Sequence, residues 1–152
     1  YPHKMKVVSL VERGGQKRSI IVNAVKAKTL TALLDKNACK SVNLMTDEHS
    51  GYTKARRKFA SHGVTRHSAR QYVDGNNHSN TVESSFSLLK RGLIGTFHHV
   101  GEQHLQRYVK EFDFRWNNRK VADGARAETL LMQVAGKRLM YRDSSAEARN
   151  VA

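Results

Sequence analysis

The chain has one cysteine, Cys39, so no disulfide can form within its 152 residues. That usage fits a reducing compartment such as the cytoplasm. No apolar run approaches the roughly 20 residues that a membrane-spanning helix needs. The opening "YPHKMKVVSLV" is too briefly hydrophobic for a secretory leader and passes directly into a turn. It carries no initiator methionine, and this start reads as a cut within a longer chain. The glycines at 14–15 and 92–95 lack the context of a phosphate-cradling loop, and no G-x-S-x-G element marks a nucleophile. His67, His78, His98, His99, His104 and Cys39 do not fall at zinc-ligand spacings. Acidic residues are scarce: 13 Asp and Glu stand against 27 Lys and Arg, a formal charge of +14. A field of that sign attracts phosphate backbones, although charge alone does not separate an enzyme from a ribosomal or chromatin protein.

A chain of this length forms one domain and buries about two-thirds of its unfolded surface, enough for a core. "MKVVSLVERGGQKRSIIVNAVKA" predicts a hairpin turning at Gly14-Gly15, with Val7, Val8, Leu10 and Val11 on one strand and Ile20, Ile21 and Val22 on the other. Both strands are apolar on both faces, which predicts a covered sheet. Leu30, Leu33 and Leu34 have helical spacing, with Thr29 as cap. "SVNLMTD" predicts a short, central, buried strand. The order strand, strand, helix, strand argues for an α/β fold. Tyr52, Ala55 and Phe59 form the inner line of a short helix, "GVTRHS" is a further short strand, and "DGNNHSN" is a polar loop. A helix starts near Asn80, buries Val82, Phe86 and Leu89, and stops at Gly92. "GLIGTFHHVGEQ" is a glycine-punctuated connection. The longest helix covers Glu102 to Asn117, with Leu105, Tyr108, Val109, Phe112 and Trp116 on its apolar face. The tail from Lys120 is polar, with apolar patches at Leu130, Leu131 and Val134 and at Leu139 and Tyr141. Residues 1–143 are expected to form the domain and 144–152 a frayed end.

Two carboxylates carry the chemistry. Asp47 ends the apolar run "VNLMTD", where α/β folds place ligands, and it suits Mg²⁺, which prefers oxygen donors. The same Asp also fits a plainer role, capping the turn before Gly51. Glu83 lies 36 positions later. With Asn80 as N-cap it completes a capping box; with Lys90 two turns on it flanks a phosphate path, extended by Arg91. Ser84, Ser85 and Ser87 keep that side small and polar. Two metal ions on such acids would activate a water or 3′-hydroxyl and stabilise the leaving oxygen, but that arrangement usually draws on a third carboxylate. Glu12, beside the glycine turn, is the nearest substitute; Asp35, Asp74 and Asp113 lack a strand-end setting. From Gly51 to Arg70 the chain carries Lys54, Arg56, Arg57, Lys58, Arg66 and Arg70 and no acid. With Lys90 and Arg91 these are the candidate contacts to nucleic acid.

"LMTDEHSGY" and the long block "HSNTVESSFSLLKRGLIGTFHHVGEQHLQRYVKEFDFRWNNRK" resemble the ISXO2-like transposase domain of the IS1595 group of insertion sequences. "KVVSLVERGGQKRS" and "GKRLMYR" match the same pattern. The resemblance implies a ribonuclease-H-like (retroviral-integrase-like) mixed sheet flanked by helices, in which three acids bind Mg²⁺ or Mn²⁺. It implies metal-dependent cleavage and transfer of DNA strands at insertion-sequence ends. Asp47 resembles the second catalytic acid, Glu83 the third, and Lys90 the downstream basic residue. Asn80 matches an asparagine of the same motif, which leaves the third position open between Asn80 and Glu83. The family's first aspartate lies on a strand ahead of "KVVSLVERGG". Without that strand, and without an N-terminal region that reads the element's ends, this chain looks like a truncated copy with weakly held metal. The partners implied are double-stranded DNA and a second copy of the protein in a DNA complex, with no membrane, in a bacterial cytoplasm at the nucleoid. The alternative is a non-catalytic nucleic-acid-binding protein derived from such a core.

Overall fold

A computed structural model describes residues 5–65, 68 and 78–137. The first two strands, β1 (Lys6–Val11) and β2 (Lys17–Val22), form an antiparallel hairpin in the register Val7 with Ile21 and Ser9 with Ser19. Its turn needs a left-handed residue and finds one in Gly14, with φ of 70°. After α1 (Ala27–Asn37) the chain enters β3 (Asn43–Asp47), which pairs in parallel with β4 (Ser61–Thr65). Then come α2 (Asn80–Gly92), α3 (Glu102–Asn117) and α4 (Asp123–Val134). The molecule is mixed α/β, with two two-stranded sheets among the described residues.

The hairpin is covered on both faces, as its sequence predicts. Val8, Leu10, Ile20 and Val22 pack with Leu30 and Leu33 of α1. Val7 and Ile21, of the opposite parity, pack with Leu89, Leu105 and Val109 of α2 and α3. Leu34 completes a second cluster with Ala55 and Phe59, against which Leu10 and Leu44 lie. Burying each such side chain stabilises the fold by about 1.5–3 kcal/mol.

Several expectations are corrected. The residue preceding α1 is Lys26, and Thr29 lies inside the helix, because the leucine face needs a turn of helix ahead of Leu30. Tyr52, Ala55 and Phe59 do face inward, Ala55 fully buried, but not on one helix: Tyr52 ends a short 3-10 turn, Ser50–Tyr52, and Ala55 and Phe59 flank a second, Arg56–Lys58. β4 begins two residues before "GVTRHS". α2 does end at Gly92, as expected, but the chain runs directly into a π-helical turn, Leu93–Phe97, and turns away at His98, where φ is 58°. The glycine serves packing, since a Cβ there would stand 2.2 Å from the ring of Phe112. In α2 the deepest residues are Ser85 and Leu89, with Val82 and Phe86 half-buried beside them. The tail contains α4, whose Leu130, Leu131, Met132 and Val134 are all exposed. β3 has one strand neighbour among the described residues and is not central there. Leu139, Tyr141, the end of "GKRLMYR", residues 144–152 and most of "DGNNHSN", including Asp74, lie outside the described residues. No described helix is long and apolar enough to cross a membrane.

Candidate active site

The chain direction along α1 fixes which ends of the strands meet. Arg18, level with Leu10, donates to the Asn37 side chain at the last turn of α1. Gly51, just past β3, sits against Leu30 in the first turn. So β1 runs with α1 and β3 runs against it. Thr65, paired with Asp47, bonds Ser79 through their hydroxyls at 3.4 Å and the Thr46 carbonyl at 3.3 Å. This contact fastens the start of α2 to the C-terminal end of β3.

Asp47 and Glu83 therefore come to the same end of the molecule, and both line one cleft of about 1870 Å³. Asp47 is the last residue of β3, and its Oδ1 accepts the His49 N–H at 3.2 Å. It caps the turn and lines the cleft at once. Its charge reaches Tyr52: burial pushes the Tyr52 phenol above its usual range, and Asp47 adds to that shift. Glu83 lies in the first turn of α2 and accepts a hydrogen bond from the Ser79 hydroxyl. Ser79, not Asn80, precedes the helix as its N-cap residue. The anticipated capping box does not form: Ser79 makes no side-chain bond to the backbone of the first turn, and its hydroxyl goes to the Glu83 carboxylate instead.

Asn80 opens α2 and shares a shallow groove with Glu83, Ser84, Ser87, Leu88 and Arg91. Lys90 is exposed in the last turn of α2 and lines neither opening. Lys54 and Arg57 are exposed. Lys58 pairs with Asp35 of α1 at 2.7 Å, and Lys40 pairs with the same carboxylate. Those two cations hold Asp35 below the usual carboxylate range. Arg66 and Arg70, and the side chain of Arg56, lie outside the described residues.

Other residues of the cleft escaped the sequence reading. Lys17 and Asp113 face each other at 3.6 Å, and Asp113 also accepts the Ser19 N–H at 2.6 Å and its hydroxyl at 2.7 Å. Burial holds the Lys17 ammonium below its usual range, and the charge of Asp113 works against that shift. A signal existed: Asp113 follows Phe112 on the inward side of a helix, where a carboxylate needs a partner. Arg13 reaches the Met45 sulfur at 2.7 Å and the His78 carbonyl at 3.4 Å, joining the hairpin to the β3 side. His78 also lines the cleft, and its Nδ1 is buried without a hydrogen-bond partner.

The acids fit a hard divalent ion in kind, since both offer carboxylate oxygen. They fall short in number: among the described residues no three His, Cys, Asp or Glu side chains are grouped to hold a metal. Glu12 lines the cleft too, but β1 runs opposite to β3, so it stands at the end away from Asp47. Its carboxylate folds back over the turn, within 2.3 Å of where a Cβ on Gly15 would lie.

A family model described as the ISXO2-like transposase domain matches residues 1–117. No curated protein and no solved structure matches the chain. The matched segment spans β1 through α3, including Asp47, Glu83 and Lys90, and the chain belongs to that family.

Proposed function

We propose that this member of the ISXO2-like transposase domain family acts in DNA transposition, by metal-dependent cleavage and transfer of DNA strands on a ribonuclease-H-like core. One observation carries the reading: Asp47 and Glu83, from a strand end and a helix start far apart in sequence, line a single cleft. Asp47 and Glu83 are the residues that would hold Mg²⁺ or Mn²⁺. Bound there, the ion would supply Lewis-acid stabilisation of the developing charge on phosphate oxygen. The chain's own residues do the rest. Ser79 orients the Glu83 carboxylate by donating to it. Asn80 and Arg91 border the groove beside Glu83; Arg91 would contact the DNA backbone, and Asn80 is the alternative to Glu83 as the third catalytic position. Lys90, further along the exposed side of α2, holds a flanking phosphate. Lys54, Arg56, Arg57, Lys58, Arg66 and Arg70 add sequence-independent contacts to duplex DNA. The third carboxylate of the reaction comes from outside the described residues.

The test is strand transfer on duplex DNA with Mn²⁺, using the 152-residue chain and chains carrying a strand with an aspartate ahead of Tyr1. The extended chain is expected to nick and join DNA, with the present chain nearly inactive. Asp47→Asn should abolish joining in the extended chain while leaving most DNA binding intact. Glu83→Gln separates the roles on α2: full activity in that variant would assign Glu83 to the helix start and Asn80 to the metal. An extended chain that binds DNA but never cleaves it would refute the catalytic reading.

A second reading has its own support. The charge of +14 supports equally well a nucleic-acid-binding protein without catalysis. Salt-sensitive DNA binding with no metal-dependent cleavage in any of these chains is its expected signature.

A further inference from the structure

Among the described α-helices, α4 alone buries no residue. From Val121 to Lys137 every residue is exposed except Arg126, which pairs with Asp123. None of the apolar clusters includes any part of it. A helix of 12 residues is marginal in water when it stands alone, so its stability has to come from a packed face. Such a face exists. Ala127, Leu130, Leu131 and Val134 recur at the i, i+3, i+4, i+7 spacing of a buried stripe. Yet Leu130, Leu131 and Val134 are 50%, 68% and 52% exposed, so the chain's described part does not cover it.

The pattern is complementary to itself. Gly124, Ala127, Leu131 and Val134 have the a and d spacing of a two-helix seam. Run antiparallel against a copy, the small end of one seam meets the large end of the other. Gly124 then lies opposite the copy's Val134, and Ala127 opposite its Leu131. Leu130 flanks the two-fold axis beside its own twin. The ends match in charge as well. Asp123, in the first turn, comes beside Lys137, just past the copy's last turn, and the two helix dipoles oppose. A parallel pair would set glycine on glycine and Asp123 on Asp123. The arrangement is therefore isologous, one patch serving both subunits.

Charge selects the same surface. α4 carries Asp123 and Glu128 against Arg126, which makes it the net acidic member of the four α-helices. The whole chain stands at +14, so copies meeting through a basic face would repel. We propose that two copies of this chain associate through α4, antiparallel and without DNA. The surface lies beyond residues 1–117, which the family model matches. It depends on neither metal binding nor DNA chemistry. Helices about 18 Å long make an interface well below the standard size of about 1,600 Å², so the pair is weak and reversible.

The experiment is sedimentation equilibrium of the full chain in the absence of DNA. A monomer–dimer equilibrium is expected, with more dimer at about 500 mM salt than at about 50 mM, because screening relieves the repulsion between two basic bodies. DNA binding has the opposite salt dependence. Leu131→Glu should weaken association by about tenfold or more. Its Tm should match wild type at dilution, because Leu131 is buried by nothing in its own chain. A second arm traps a weak pair. In a Cys39→Ser background, chains with Ala127→Cys are mixed with chains with Leu131→Cys under thiol–disulfide exchange. The mixed disulfide should exceed both like pairs. A chain that stays monomeric and forms no mixed disulfide would overturn the inference, and cover by the chain's own residues 138–152 would give that result. So would like pairs in excess, or a dimer that Leu131→Glu leaves intact.

Discussion

Lys17 is a lysine with 2% of its side chain exposed, facing a carboxylate that is itself largely buried. Asp113 satisfies both that ammonium and the two donors of Ser19, so removing it takes the acceptor from the buried ammonium and the Ser19 N–H, while the Ser19 hydroxyl keeps Ser9 as a partner. Asp113→Ala should destabilise the protein by about 3–5 kcal/mol, read from urea denaturation. The pH dependence has a definite sign. The folded-state pKa of Lys17 lies below the unfolded one, so between them the unfolded chain holds a proton that the folded chain lacks. Stability from this residue therefore rises with pH up to the usual lysine range near about 10.4. Wild type should gain on Lys17→Met as pH climbs toward that value; a flat difference would mean that Asp113 compensates burial fully. Tyr52 offers a second residue-scale check. Asp47→Asn should lower the Tyr52 pKa yet leave it above the ordinary range, because burial is the larger cause. An unmoved Tyr52 in an NMR titration would separate it electrostatically from the proposed metal ligand.

At the scale of elements, hairpin, leucine helix and long α3 were legible because their apolar periodicities differ and each exceeds its turn signals. Glu102–Asn117 appears in the structure with the bounds its pattern predicts. Asp47 and Glu83 were legible as isolated acids at element ends, and both do stand there. What was not legible depends on contacts made far along the chain. Gly92 was legible as the end of α2, but not its packing against Phe112, twenty positions later. The Lys17–Asp113 pair joins residues 96 positions apart, and no window of sequence shows it. α4 has no buried residue, so the burial that a periodic pattern advertises is missing. Gly92→Ala tests the long-range explanation. A methyl pressed into the Phe112 ring should cost about 1–3 kcal/mol by overpacking, although alanine favours helices. A stabilised Gly92→Ala protein, measured by thermal unfolding, would return the glycine to a purely local role.

At the scale of the whole molecule the dominant quantity is the charge of +14, and the structure divides it unequally. Lys58 and Lys40 already face Asp35, whereas Lys54 and Arg57 are exposed on the segment that follows β3. A cation that neutralises a phosphate releases a condensed counterion, and each such contact adds about 0.9 to the slope of log affinity against log salt on duplex DNA. Affinity for an arbitrary duplex should therefore fall by orders of magnitude between about 50 and 200 mM salt. Lys54→Ala and Arg57→Ala should each reduce the slope by nearly 1 while weakening all sequences alike. Lys58→Ala should reduce it less, because that ammonium must first give up its carboxylate. Asp35→Asn should then do the opposite, freeing Lys58 and Lys40 and steepening the slope. Fluorescence anisotropy across a salt series measures all four. Equal slopes in every variant would place the DNA path elsewhere, and α2 with Lys90 and Arg91 would be the surface to test next.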